Sequence, residues 1–295
     1  MYLKLQGALA IFLLLISTVI STAQPRETPS VTFHRVGENL YEIRGGAGAN
    51  SGVFIGESEV VLIDVKMDKD SVDNILAWIV SVTDKPVRYL INTHSDGDHI
   101  SGNRFLNPSV TVIAHENCRQ EFFHPGRNND PSKWNDPTLV PFLPSITFKN
   151  KMTLHLGSTV IELWNFGVGH TTGDTVVYFP KMKTAFIGDQ IFLTRPQLIH
   201  TYKGGNSFGH VTNLTRMLDT IDAERFCSGH SDIASREDIL QHIDRMRERQ
   251  SKVRALVKAE KSTEEILRTF PENENRLITS IYTEISTGTE TETAK

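Results

Sequence analysis

Apolar positions in this chain repeat with two periods that take turns. Short β-branched and aromatic runs at residues 31–35, 40–44, 52–55 and 60–65 are set off by Gly, Asn and acidic turns, the pattern of strands. Residues 68–82 switch to a helical period, with Val72, Ile75, Leu76 and Ile79 on one face. The next run, 87–92, reads as a buried strand and ends directly in Thr93-His94, and 110–114 predicts another strand. Residues 125–144, rich in Pro, Asn and Asp, predict a long irregular loop of the functional or mobile kind. Phe122, Phe123 and Trp134 are candidates for an apolar lid there, although core packing is the favoured reading for the Phe pair. The second half repeats the alternation, with strands at 153–156, 159–166, 175–179 and 184–187, a helix over 206–221 and a short strand at 225–228. Ser235 with Asp238 reads as a capping box opening a helix to about residue 260, with Ile239, Ile243, Met246, Val253 and Leu256 inward. Ser262 with Glu265 predicts a second box and a last short helix, and 287–295 a polar, frayed tail. Strands then helices, twice over and without a linker or repeat, predict one α/β domain over 24–286.

Residues 1–23 read separately. Lys4 precedes an almost unbroken apolar run from Ala8 to Ile20, and Ser21-Thr22-Ala23 then places small residues before Gln24. This predicts a signal peptide cleaved near Ala23-Gln24 and a periplasmic or secreted protein. The alternative is an uncleaved anchor, although the run is shorter than the about 20 residues of a membrane span. No cysteine follows the run, which excludes a lipoprotein, and no later segment is apolar enough to span. The 295 residues, 39% hydrophobic and 22% charged, suffice for a core without disulfide staples. A net charge of −4 without a Lys/Arg stripe argues against a nucleic-acid partner. Two cysteines make neither a disulfide framework nor a Cys-only zinc site, and whether Cys118 and Cys227 pair depends on a separation the sequence does not show.

The chemistry gathers at strand ends. Thr93-His94-Ser95-Asp96-Gly97-Asp98-His99 offers four donors just after a buried strand, and Asp is rarely buried unpaired. On a turn they converge as an imidazole and carboxylate set suited to zinc, manganese or iron; the plainer reading is a polar turn with Asp98 capping the next helix. His170, Asp189 and His230 each follow a glycine at another strand end, where glycine permits a sharp turn and close approach to an ion. Four such segments in this order outweigh the plainer reading of any one.

Those residues resemble the metallo-β-lactamase fold superfamily, whose pattern is His-x-His-x-Asp-His, then a Gly-His-Thr histidine, a bridging Asp and a last His. The resemblance implies a four-layer αβ/βα sandwich, two mixed β-sheets flanked by helices, with a dinuclear site at one edge. It implies His94, Asp96 and His170 at one ion, Asp98, His99 and His230 at the other, and Asp189 between them. Asp96 departs from the pattern, standing where the family carries the second His. Either it is a ligand that makes the site more anionic, favouring iron or manganese relative to zinc, or it falls short and caps the following helix. The implied cofactors are two divalent ions, zinc first, with iron or manganese as the alternative that Asp96 raises.

The implied function is an exported hydrolase that opens an ester, lactone, amide or β-lactam-like bond of a small molecule. Two cations lower the pKa of a bound water towards roughly 7 and polarise the substrate oxygen. Asp98 is the candidate to orient that water. In the loop after Asp189, Arg195, His200, Tyr202, Lys203 and Asn206 are candidate substrate contacts, with plain surface loop the alternative. His115, His124, His155, His210 and His242 fall outside the pattern. A di-iron oxidoreductase, suggested by Asp96 alone, and a non-catalytic binding protein are the other function classes; oligomeric state is left open.

Overall fold

The computed structural model describes residues 30–125 and 129–290; residues 1–23, read above as a signal peptide, and residues 291–295 of the tail lie outside the described residues. Strands β1 (Thr32–Gly37), β2 (Leu40–Arg44), β3 (Ser51–Ile55) and β4 (Val60–Ile63) form an antiparallel meander. Its sheet continues in parallel through β5 (Val87–Ile91), β6 (Thr111–His115) and β7 (Ile146–Phe148). Parallel neighbours need crossovers. Helix α1 (Lys69–Val82), whose N-cap Asp68 accepts from Ser71 N at 2.9 Å, supplies the first. The short helices α2 (Gly97–Ile100) and α3 (Glu116–Glu121) follow β5 and β6.

The second sheet runs β12-β11-β10-β9-β8, built from β8 (Lys151–Leu156), β9 (Thr159–Trp164), β10 (Val176–Phe179), β11 (Thr184–Gly188) and β12 (Arg225–Ser228). All its pairs are antiparallel except β11 with β12, which α4 (Ser207–Thr220) joins. Helices α5 (Arg236–Lys258), α6 (Thr263–Leu267) and α7 (Asn275–Thr287) complete the chain.

Alternation along the strands sets the layers. Val61 and Ile63 of β4 point inward with Ile91 and Ile113, against Ile161, Leu163, Val177, Phe179 and Phe186 of the second sheet. Val60 and Leu62 point outward onto Val72, Ile75 and Ile79 of α1. Both faces of β4 are covered, so its sequence is apolar throughout rather than alternating. On the far side, Val176, Tyr178, Ala185, Ile187 and Phe226 meet α4, α5 and α7. The inward stripe of α5, with Ile239, Ile243, Met246 and Val253, is buried there. The result is the four-layer sandwich of two mixed sheets between helices.

Three expectations need correction, and the pairing of the cysteines, left open by the sequence, is decided. The lid does not form: Trp134, 4% exposed, packs on Phe122 with Ile100, Ala114, Cys118 and Leu143, and only Phe123, 39% exposed, faces solvent. Cys118 in that cluster and Cys227 between the sheets are both free. A third late helix, α7, follows the short one, its Leu277, Ile278 and Ile281 buried in the helical layer. Its many β-branched residues disfavour helix on propensity, and packing overrides them. The tail is held as far as it is described: Thr289 O accepts from Asn206 Nδ2 at 2.9 Å, and Glu290 pairs with Arg254 at 2.7 Å.

Candidate metal centre

All seven donor candidates meet at one edge of the sandwich, because the strands that carry them end there. His94 follows β5, Asp96 to His99 enter α2, His170 lies between β9 and β10, Asp189 closes β11 and His230 follows β12. Donor atoms of His94, Asp96, His170 and Asp189 form one cluster, and those of Asp98, His99 and His230 a second, each within 4.8 Å. Asp189 stands between them. Its Oδ2 lies 3.9 Å from His94 Nε2, 3.9 Å from His170 Nε2 and 3.5 Å from His230 Nε2, and its Oδ1 lies 3.1 Å from His99 Nε2. The first cluster is almost closed to solvent. The second opens to it, with Asp98 33% and His230 26% exposed. Backbone approach is tight: a Cβ on Gly229 would lie 2.3 Å from Asp189 Oδ1 and 2.6 Å from His99 Cε1.

Outer partners aim the rings. Asp64, at the end of β4, accepts from Thr93 N at 2.8 Å and Thr93 Oγ1 at 2.6 Å, and its Oδ2 stands 2.7 Å from His99 Nδ1. His170 Nδ1 donates to Leu198 O at 2.7 Å, which leaves Nε2 as its lone-pair atom. Gln197 Nε2 donates to Asp189 O at 2.8 Å. Buried Glu121 accepts from Ser95 Oγ at 2.6 Å and Thr172 Oγ1 at 2.6 Å, tying the first motif to the His170 turn. None of Asp64, Thr93, Gln197 or Glu121 was singled out in the sequence; an acidic residue closing the all-apolar run of β4 was the one local signal.

Asp96 is more heavily engaged than its motif suggests. Lys203 Nζ donates to its Oδ1 at 2.7 Å and to Ser95 Oγ at 2.9 Å, while His200 Nε2 lies 2.8 Å and His170 Nε2 3.2 Å from its Oδ2. Burial would raise its pKa, but His94, His170 and His200 hold the carboxyl well below the usual range. Burial likewise opposes ionised Asp98, yet His230 at 2.8 Å brings it down to about 2. Burial works against a charged His170, and Asp96 nonetheless pushes it up to about 9.

A cation fits this donor set. His94 Nε2, His99 Nε2 and Asp189 Oδ1 are buried without hydrogen-bond partners, a costly arrangement unless something electropositive completes it. Imidazole nitrogens with carboxylate oxygens are the donor mixture of zinc and its neighbours.

The candidate substrate contacts separate. Arg195 is exposed, with its guanidinium 4.0 Å over the Phe192 ring, which packs 5.8 Å from the His230 ring. Tyr202 is exposed, with its ring 5.0 Å from His200. His200 and Lys203 are buried against Asp96, and Asn206 caps α4 by accepting from Gly209 N at 2.8 Å. Among the other histidines, His115 caps α3, and His210 and His242 face each other at 3.1 Å.

A sequence model described as the Metallo-beta-lactamase superfamily matches residues 44–230. The chain therefore belongs to the metallo-β-lactamase superfamily. It is 24% identical over 242 residues to a metallo-beta-lactamase type 2 of Elizabethkingia meningoseptica, covering 78% of this chain and 90% of that one. Its fold is similar to the DIM-1 metallo-beta-lactamase structure, with a TM-score of 0.61, 22% identity and coverage of 75% of this chain and 99% of that one. It is also similar to the sec-alkylsulfatase Pisa1 from Pseudomonas sp., with a TM-score of 0.69, 14% identity and coverage of 86% of this chain and half of that one.

Proposed function

We propose that the protein is an exported hydrolase holding two divalent ions, which opens an ester, lactone, amide or β-lactam-like bond of a small molecule. The observation that carries this is the pair of donor clusters meeting on Asp189, with buried ring and carboxylate atoms left without partners. His94, Asp96, His170 and Asp189 would hold one ion, and Asp98, His99, His230 and Asp189 the other. When bound, the ions supply a water acidic enough to ionise near neutral pH and Lewis-acid polarisation of the substrate oxygen.

The chain's own residues do the rest. Asp98, partly exposed beside His230, accepts a hydrogen bond from an incoming water and orients it. The closed first cluster keeps bulk water from one side, so substrate enters over the open second cluster. Arg195, over the Phe192 ring beside His230, and the exposed Tyr202, beside His200, are proposed to position an anionic or polar substrate group. Lys203 matches the charge that Asp96 adds, which supports zinc over iron or manganese. Export is proposed from the leader-like pattern of residues 1–23; among the described residues no helix is long and apolar enough to cross a membrane.

Elemental analysis of purified protein, followed by a panel of chromogenic β-lactam, aryl ester, lactone and sulfate-ester substrates, tests the reading. About two metal equivalents and turnover of at least one panel member, abolished by chelation and restored by zinc, are expected. A metal-free protein inert across the panel after zinc loading overturns it.

A further inference from the structure

Three imidazole nitrogens face one oxygen in the first cluster. Around Asp96 Oδ2 stand His200 Nε2 at 2.8 Å, His170 Nε2 at 3.2 Å and His94 Nε2 at 3.5 Å. Three rings crowd one carboxylate oxygen that Lys203 already serves from its other side. His170 donates its Nδ1 proton to Leu198 O, so its Nε2 meets the carboxylate as a donor when the ring is charged and as a lone pair when it is neutral. His94 Nε2 and His200 Nδ1 have no hydrogen-bond partner although both are buried, and His200 Nε2 approaches Asp96 Oδ2 at 2.8 Å without hydrogen-bond geometry. Where no proton lies between them, lone pairs across about 3 Å repel, and a cation among these rings turns the same arrangement into bonds. Asp96 does not need the rings to offset its charge, because Lys203 already holds its Oδ1 at 2.7 Å.

We propose that His200 is a further ligand of the ion in the first cluster, adding a third imidazole to the donors of His94, Asp96, His170 and Asp189. The inference rests on the reading that the clusters bind metal and extends it to a residue outside the two donor groups. Its chemistry is consistent with its setting. His200 is 2% exposed, packs its ring edge-on to His170 at 4.6 Å between centroids, and sits in a turn fixed by Lys203 N donating to His200 O at 2.8 Å. The same short turn thus carries both the added imidazole and the cation that balances Asp96. A third imidazole returns to the ion the neutral nitrogen donor that Asp at position 96 does not provide, and it favours zinc for the same reason.

The test is Co2+ loading of the wild-type chain and of His200→Gln, read by metal content, chelator competition and the hyperfine-shifted imidazole N–H signals in the proton NMR spectrum. Glutamine keeps a side-chain donor able to reach Asp96, so a residue that merely steadies that carboxylate survives the change. For a ligand, one shifted N–H signal disappears and one ion binds more than about 100-fold more weakly, beyond the 10–100-fold that loss of an outer partner costs. Two ions at wild-type affinity with every shifted signal retained overturn the role of His200 and leave the metal reading standing. A wild-type chain that takes up no cobalt or zinc overturns the metal reading itself. Should His200→Gln fail to fold, a crystal structure of the zinc-loaded wild type decides. His200 Nε2 at about 2.0–2.1 Å from the ion supports the proposal; a ring still turned to Asp96 with no bond to zinc refutes it.

Discussion

Asp64 does its work through two neighbours. Its backbone sits at a φ of 51°, in the left-handed region that costs a non-glycine residue, and the return is a carboxylate placed under both Thr93 and His99. An acceptor on His99 Nδ1 fixes that ring's tautomer and leaves Nε2 free toward Asp189. Asp64→Asn keeps the shape but sets an amide N–H against donors, so the ion at His99 is expected to bind about 10–100-fold more weakly. Competition with a zinc chelator measures this, and unchanged affinity would show that His99 needs no such partner. Donor residues such as His99 were legible because their motif is local. Asp64 is 35 positions away from His99, and nothing short of the folded sheet brings the two together.

At the scale of elements, the helical layer hides a charge-sensitive contact between α4 and α5. Burial lowers the pKa of His242 to about 3 and puts that of His210 well below the ordinary value, with Arg245 and Arg249 adding to the effect at His242. Both rings are therefore neutral in the folded chain, while unfolded histidines protonate near 6.5. A depressed folded pKa means that the unfolded chain binds more protons, so this stability is complete above about pH 6.5 and falls away as the pH drops towards 3. His242 alone is expected to cost about 2 kcal/mol between pH 7 and 5. Melting curves of chelated wild type and His242→Gln over that range should differ by about this amount; parallel curves would remove the burial argument. The helix α7 belongs to the same layer and went unread, because its Ile and Thr residues resemble a strand until α5 is there to pack on.

For the molecule as a whole, the two sheets act as a frame whose shared edge gathers carboxylates and imidazoles that would otherwise repel or lie unpaired. Metal should then stabilise the entire fold, since it binds a site the unfolded chain lacks. At zinc about 100-fold above its dissociation constant the gain is about 2.7 kcal/mol per site, or roughly 5–10 °C in Tm for a chain of this size. Calorimetry with zinc and with excess chelator checks it, and identical melting temperatures would argue that the clusters hold no ion.

Most of the order of elements, the burial of α1 and α5 and the seven donor candidates could be read from the chain alone, because each rests on a periodic or local signal: a stripe, a capping box, a ligand just after a strand. The resemblance of those motifs to a family supplied the sandwich. Only the tertiary structure decided what surrounds the donors. It packed Trp134, Leu139, Phe142 and Leu143 onto Phe122 and its neighbours, left the two cysteines unpaired, and set His200 and Lys203 against Asp96 across more than a hundred residues of chain. Those outcomes depend on which strand ends share an edge, and a pairwise contact at that distance leaves no periodic trace in the sequence.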